Sequence, residues 1–391
     1  MTVPLLVPEK HTPDLRWTYT FCDLRTNDEL ATFDLTGVKF GRTLGGPGKF
    51  SGYLSLLDPE IRLLNPWAVT RQRRTALYIE VEDADDPMQP GPDCVWGGIV
   101  WGRNRSSSSN GLTLTGATFE SWLARQRLRS DMIGVNAGQD QVMLMLLDRV
   151  TGPGGYPNAD VGVRMANSAP LGLELREREY LLREGNTLLT LFENFGKTNT
   201  GGEFRIDCHR DSDGRFRRDV VVGEPRLGRK WAETEFTLNY PDGDLETWQL
   251  DEDGTDVDTT LIVTGSGTGV DQPVVIVREQ DLMLGQITSG YPELIGRLQL
   301  SNQSNPDILR EEGYAELRRK LAGEMMLGGL RLKAAATPRI GTYLPGDEIK
   351  AVITHVAMES WPNETEILTR LLGFECTPGD GNVAMVVGGT A

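Results

Sequence analysis

A mainly β chain with α+β insertions is what this sequence predicts, and three observations carry the prediction. Residues 17–58 and the run Trp96-Gly97-Gly98-Ile99-Val100-Trp101 are short apolar runs with strand-like alternation. Forty-five Gly and 21 Pro among 391 residues fall between such runs, as turns do. Helical spacing enters only in the middle of the chain and once more near residue 306.

Taken in order, Trp17, Tyr19 and Phe21 alternate with Thr18 and Thr20, and Arg25-Thr26-Asn27-Asp28 supplies turn residues before Leu30, Phe33 and Leu35. The phase then slips from odd positions to Val38 and Phe40, with Gly37 at the slip. That pattern predicts a bulge bending a strand, a device of barrels and sharply coiled sheets. Phe50, Gly52, Leu54 and Leu56 form a strand ending at Asp58-Pro59, and Ala76 to Val81 another. Met88 to Asp93 reads as a Pro-rich mobile loop, and 104–110 as an exposed hairpin tip between Val95–Arg103 and Gly111–Thr115. Trp96 and Trp101 fall on opposite faces of an ideal strand. Either both faces are covered or the two glycines introduce a bulge.

Residues 126–235 change character. Asp140 is placed to cap a helix apolar all round from Val142 to Leu147, and Asn186 one that carries Leu188, Leu189, Leu191, Phe192 and Phe195 up to Gly196. Phe204 to Cys208 turns through Ser212-Asp213-Gly214-Arg215 into Val220–Val222, giving a small α+β unit. From 236 the β pattern returns: Glu235–Asn239, Glu246–Leu250 and Thr259–Thr264, separated by Pro241-Asp242-Gly243-Asp244 and Asp251-Glu252-Asp253-Gly254. Pro306 after Ser304-Asn305 opens an amphipathic helix over about 305–327, with Tyr314, Leu317, Leu321 and Met325 on one face and Gly328-Gly329 closing it. Four strands follow, Leu330–Ala334, Ile349–Val356, Glu366–Cys376 and Val383–Val387. The expected domains are 1–125, a β unit; 126–235, an α+β insertion; and 236–391, a second β unit holding that helix.

Composition narrows function. A formal charge of −16 opposes tight general binding to phosphate backbones, which relies on Lys and Arg. No segment reaches the length of a membrane helix, and the N-terminus is too short and uncharged for a signal peptide. Cys22, Cys94, Cys208 and Cys376 lie in or beside apolar runs without a C-x-x-C pair, and with only His11, His209 and His355 available they read as buried free thiols rather than a zinc site.

Chemical motifs fail on inspection. Gly45-Gly46-Pro47-Gly48-Lys49-Phe50 approaches a phosphate-binding loop, but Thr43 stands where Gly is needed, Phe50 where a hydroxyl is needed, and Pro47 has no N–H. Aligned on their glycines, the acidic turns at Gly254 and Gly214 place Gln249 and His209 first, and Thr260 and Val220 last, where a calcium loop needs carboxylates. No serine elbow, Cys–His pair, H-E-x-x-H or framed carboxylate dyad occurs. Catalytic, cofactor-binding and metal residues are therefore assigned to none, and the chain reads as a non-enzyme. Trp67, Trp231 and Trp361 are the aromatics open to a sugar-stacking role, against the commoner role of Trp in cores and interfaces. Arg71, Arg73 and Arg74 form the one tight basic cluster of the first unit, suited to a solvated loop or to an acidic neighbour.

The ordered set C-D-L-R-T (Cys22–Thr26), L-T-G-V-x-F-G-R (Leu35–Arg42), L-D-P (Leu57–Pro59), W-G-G-I-V-W (Trp96–Trp101) and L-x-L-x-G-A (Leu112–Ala117) resembles minor tail proteins of long-tailed phages of actinobacteria. W-x-L-D-E-D-G (Trp248–Gly254), Y-P-x-L (Tyr291–Leu294), the helix after Asn305, and the later P-G-D and G-F-E-C-T-P-G-D elements extend the likeness over nearly the whole chain. Within that group the chain resembles the tail hub, or tail-associated baseplate hub, protein. The resemblance implies two hub-type β-barrel domains, a homotrimer whose six barrels form a pseudo-sixfold ring, and a place in the virion tail tip after assembly in the host bacterial cytoplasm. It also implies as partners a distal tail protein ring, the tape measure protein and other tail-tip proteins, with DNA only in transit. Many hubs carry a C-terminal hydrolase or fibre extension; with the chain stopping at Ala391, that role is not expected. The alternatives are a hexameric distal tail protein and a carbohydrate-binding receptor module of the tip.

Overall fold

The computed structural model describes residues 14–84, 91–156, 158–166, 176–196, 202–223, 226–241, 243–282, 290–300, 303–322 and 325–389. Strands outweigh helices among the described residues, as the alternation predicts. In the first 118 residues, β1 (Leu15–Asp23), β2 (Glu29–Thr32), β3 (Thr36–Thr43), β4 (Lys49–Ser55), β5 (Thr75–Asp83), β6 (Asp93–Asn104) and β7 (Gly111–Thr118) pair in the order β2-β1-β5-β6-β7-β4-β3. The β1–β2 turn forms because the Asp23 carboxylate accepts the Arg25 and Thr26 N–H groups at 2.9 and 3.1 Å, and Asn27 takes the left-handed conformation, φ 61°. Between β4 and β5 run two short helices, α1 (Pro59–Leu63) and α2 (Pro66–Val69).

The phase slip is a bulge. The β3–β4 register shifts between Thr36 and Lys39, and Gly37 has φ +58°, a region L side chains avoid. Because of the slip, Phe33 and Leu35 on one side of it and Val38 and Phe40 on the other all enter the same core. Trp96 and Trp101 do face opposite ways, with both faces covered: Trp96 belongs to the main core, and Trp101 packs against a second one. Gly97 and Gly98 pair in register with β5, and the β6 irregularities fall outside them, at Val95 against β5 and at Trp101 against β7. Gly97 has another reason to lack a side chain, since a Cβ there would lie 2.5 Å from Cys208 Sγ.

The next segment holds α3 (Glu120–Leu123), β8 (Met132–Ala137), α4 (Gln139–Thr151), β9 (Val163–Met165), β10 (Arg176–Tyr180), α5 (Leu188–Gly196), β11 (Glu203–Arg210) and β12 (Phe216–Gly223). It is α+β, with β8 pairing β10 and a β11-β12-β9 sheet beside them. Two helix starts differ from expectation. Gly138 occupies the α4 cap and Asp140 lies inside the first turn; for α5 it is Thr187, not Asn186, whose hydroxyl accepts the Thr190 N–H at 3.1 Å. Nor is α4 apolar all round in its burial: Val142, Met143, Leu146 and Leu147 are buried, while Leu144 and Met145 are exposed.

After α6 (Trp231–Thr234) come β13 (Thr237–Tyr240), β14 (Leu245–Glu252), β15 (Thr260–Thr264), β16 (Val274–Arg278), β17 (Ile295–Gln299), α7 (Pro306–Ala322), β18 (Met325–Lys333), β19 (Glu348–Ile353), β20 (Thr365–Thr377) and β21 (Asn382–Gly389). Asn305 caps α7 by accepting the Asp307 N–H at 2.9 Å. The helix ends at Ala322 instead of reaching 327, and Met325 already belongs to β18, where pairing with β14 and β21 claims the backbone. Leu309 and Leu317 bury against Leu261, Val263 and Val277, and this β15–β17–α7 unit forms its own core inside the second β region.

The remaining strands order as β13-β19-β20-β21-β18-β14, and β3 pairs with β20 to join both regions in one 13-stranded sheet. The described ladders close no barrel. In both regions, however, the two strands at the ends of the order are consecutive in sequence, β2 with β3 and β13 with β14. The main core runs without a break across the β3–β20 seam, from Phe21 and Trp96 to Ile349 and Phe374. Of the Pro-rich loop expected at Met88 to Asp93, residues 88–90 lie outside the described residues and Asp93 begins β6.

Candidate functional site

The motifs weighed for chemistry are used by the fold. Gly45 donates its N–H to Phe204 O at 2.9 Å, so the glycine-rich turn is committed to β11 and not to a phosphate. Asp211 gathers the N–H groups of Asp213 and Arg215 and the Arg217 guanidinium at 2.7–3.0 Å, closing the β11–β12 turn. Asp253 accepts the Thr255 N–H at 2.8 Å in the same manner. Among the described residues no three His, Cys, Asp or Glu side chains are grouped to hold a metal ion, and no helix is long and apolar enough to cross a membrane. Cys22, Cys208 and Cys376 are buried free thiols and Cys94 a partly buried one.

What the structure does concentrate is arginine, around the β11–β12 hairpin. Arg218, 1% exposed, donates to Tyr78 Oη at 2.6 Å, Leu24 O at 2.7 Å, Asn27 Oδ1 at 2.6 Å and to Val161 O. Its guanidinium carbon also lies 4.5 Å from the centre of the Phe119 ring. Burial pushes the Tyr78 hydroxyl well above its ordinary value, so it stays neutral while passing a hydrogen bond on to Asn27 at 2.8 Å. Tyr78 in turn stacks on Phe216, centroids 3.8 Å apart.

On the other face of the hairpin, Asp207 takes Arg42 at 2.6 Å and Arg205 at 2.9 Å, while Arg205 reaches Pro345 O at 2.8 Å. Burial acts to raise the Asp207 carboxyl, but the two guanidiniums outweigh it and hold the group below the usual aspartate value. Beside it, burial raises the Glu120 carboxyl against the pull of Thr118 and Arg42; Glu120 accepts the Ile206 N–H at 2.8 Å. Glu203 meets Arg370 of β20 through both oxygens, and Arg210 forks onto Glu80 of β5 at 2.6 and 2.9 Å. The hairpin is thus ion-paired to both β regions at once. Sequence reasoning missed this network. Its available signal was the charged side chains at inward positions of E-F-R-I-D-C-H-R (203–210), which alternate with Phe204, Ile206 and Cys208.

Two surfaces remain open. Leu57, Leu63 (84% exposed), Leu64 and Trp67 line the outside of α1 and α2. An open groove of about 850 Å³ is bounded by Tyr240, Pro241, His355, Val356, Trp361 and Asn363, with Trp361 53% exposed. Trp231, the third tryptophan considered for stacking, carries Lys350 Nζ 3.8 Å from its ring centre instead.

No protein-family model matches the chain, and no curated protein matches it. Solved structures give the class: the chain has the fold of phage and prophage tail proteins. The prophage MuSo2 43 kDa tail protein of Shewanella oneidensis matches with a TM-score of 0.59 at 10% identity, over 95% of this chain and 98% of its own. The tail protein from Neisseria meningitidis MC58 gives 0.57 at 12%, over 95% and 96%. Prophage tail protein gp18 from Listeria monocytogenes EGD-e gives 0.52 at 10%, over 95% and 94%. At these identities the agreement is one of fold, along the full length of each chain.

Proposed function

We propose that this chain is a structural, non-enzymatic component of a phage tail tip: a hub that assembles as a trimer, joins the tube and distal tail protein ring to the tip, and lets DNA pass. The observation that carries it is the paired strand order. Residues 1–125 and 236–391 each place chain-consecutive strands at the two ends of one ladder, the order needed for a barrel closed at a bent strand, and β3–β20 joins the two. Three copies of such a two-barrel chain present six similar units, which suits a joint between sixfold and threefold parts. Residues 126–235 form the insertion between them. The whole-length likeness to tail proteins supports the same reading. A charge of −16 fits a conduit to which DNA does not adhere.

Native mass spectrometry of the purified chain and a virion map at the tip test it. Three copies in a ring at the tip are the expected result. Six copies would move the chain to the distal tail protein, and a chain that stays monomeric and absent from the tip overturns the reading. The exposed Trp361 groove favours a second reading, in which the same tip protein stacks a host glycan; saturable binding to cell-wall glycan, lost in Trp361→Ala, is its test.

A further inference from the structure

Two exposed, oppositely charged surfaces of this chain carry more charge than their own ion pairs neutralise. The first surrounds α1 and α2. Arg103 donates to Trp67 O at 2.7 Å and to Thr70 Oγ1 at 3.3 Å, which ties it to α2. Partial burial and then the nearby Arg105 and Arg71 disfavour its charge, placing three guanidiniums together. Among the described residues Arg62, Arg71, Arg73, Arg103 and Arg105 make no ion pair; Arg74 alone does, to Asp23 at 3.5 Å, and only Asp58 and Glu60 add acid on α1. Leu57, Leu63, Leu64 and Trp67 supply an apolar surface beside them.

The second is the acidic segment at β14. No Lys or Arg occurs from Trp231 to Val277, and Glu246, Asp251, Glu252, Asp253 and Asp256 are exposed. Among the described residues none of these five makes an ion pair, whereas Asp258 is taken by Lys320. Among the described strands β14 pairs with β18, whose basic residues are Arg331, across from Thr247, and Lys333. Met326, 53% exposed, faces Asp251 across that ladder and adds an apolar contact.

Resting on the ring-forming reading above, we infer that the Arg71–Arg103–Arg105 and Leu63–Trp67 surface of one copy docks on the acidic β14 segment of a second copy. The two surfaces belong to different β regions of the chain, so the contact is head-to-tail, and such contacts generate rings when the rotation closes. Opposite charge brings the surfaces together and sets the register, while the leucines and Trp67 supply the area removed from water. The pairing also accounts for the exposed apolar residues of α1, which face solvent in a single chain.

Disulfide trapping reads the contact directly, because the native thiols are buried or partly buried. Leu63→Cys and Thr255→Cys chains, mixed in equal amounts and oxidised under non-denaturing conditions, form the crossed disulfide well beyond the twofold excess over either self-disulfide that random pairing gives. A crossed yield at or below that twofold excess overturns the docking, whatever the copy number proves to be. Reversal at one side, R71E with R105E or D251K with D253K, lowers crossed trapping and self-association about tenfold, and both reversals in one chain restore them. Failure of the restored pair overturns the charge pairing. Three copies without crossed trapping sink the docking but leave the hub reading. Crossed trapping in an assembly of other than three copies does the converse. Wild-type chains that stay separate yet bind polyglutamate at the arginine surface replace the second copy by a foreign acidic partner.

Discussion

Arg218 of β12 donates to the Tyr78 hydroxyl of β5 at 2.6 Å from a position 1% exposed, and its other hydrogen bonds go to neutral oxygens. A buried cation held by carbonyls, an amide oxygen and an aromatic face fixes geometry rather than charge. It ties the β11–β12 hairpin to β5.

Arg218→Ala leaves Leu24 O, Val161 O and the Tyr78–Asn27 pair without their donor. It lowers stability by about 3 kcal/mol, read from urea midpoints, and Arg218→Lys by roughly half of that, because an ammonium cannot span the same acceptors. A change below about 1 kcal/mol for the alanine variant contradicts this account.

Gly97→Ala forces a methyl to 2.5 Å from Cys208 Sγ and costs about 2 kcal/mol. Cys208→Ala removes that sulfur, so the double variant recovers part of the loss in a thermal melt. Simple additivity of the two single changes would show that the close approach is not the cause.

Asp207 and Glu120 give opposite pH slopes. The native Asp207 value lies below the ordinary 3.8, so its stabilisation is complete above that value and disappears as pH falls through the native one. Burial raises Glu120 above 4.5, so stability on its account is greatest below 4.5 and declines as pH rises toward the native value. Denaturation midpoints across the acid range therefore show a smaller low-pH drop in Asp207→Asn and a smaller decline above about pH 4.5 in Glu120→Gln.

Burial pushes the Cys22 and Cys208 thiols up to about 12, and those of Cys94 and Cys376 upward as well. Thiolate is the reactive form, so an aromatic disulfide reagent at mildly alkaline pH labels the folded chain slowly and all four cysteines after unfolding. Rapid labelling of a folded-state thiol would contradict this packing.

Strand placement was largely legible because alternation is local: Trp17-Tyr19-Phe21, Phe50-Gly52-Leu54 and the slip at Gly37 are properties of neighbouring residues. Helix ends were less so. Thr187 beside Asn186, and Gly138 ahead of Asp140, are settled by backbone geometry that several adjacent residues are able to satisfy. The network at Asp207 was hidden, since pairing Arg42 with a residue 165 positions away leaves no trace at short range.

By itself, then, the sequence determined the β character, the turns and the bulge that lets odd and even residues share one core. Tertiary structure alone decided that β3 pairs with β20, that one core crosses both β regions, and that the β11–β12 arginines and carboxylates bind them together. The physical reason is range. Alternation and turn chemistry act over a few residues, whereas sheet order and buried ion pairs depend on which distant segments meet to bury apolar surface.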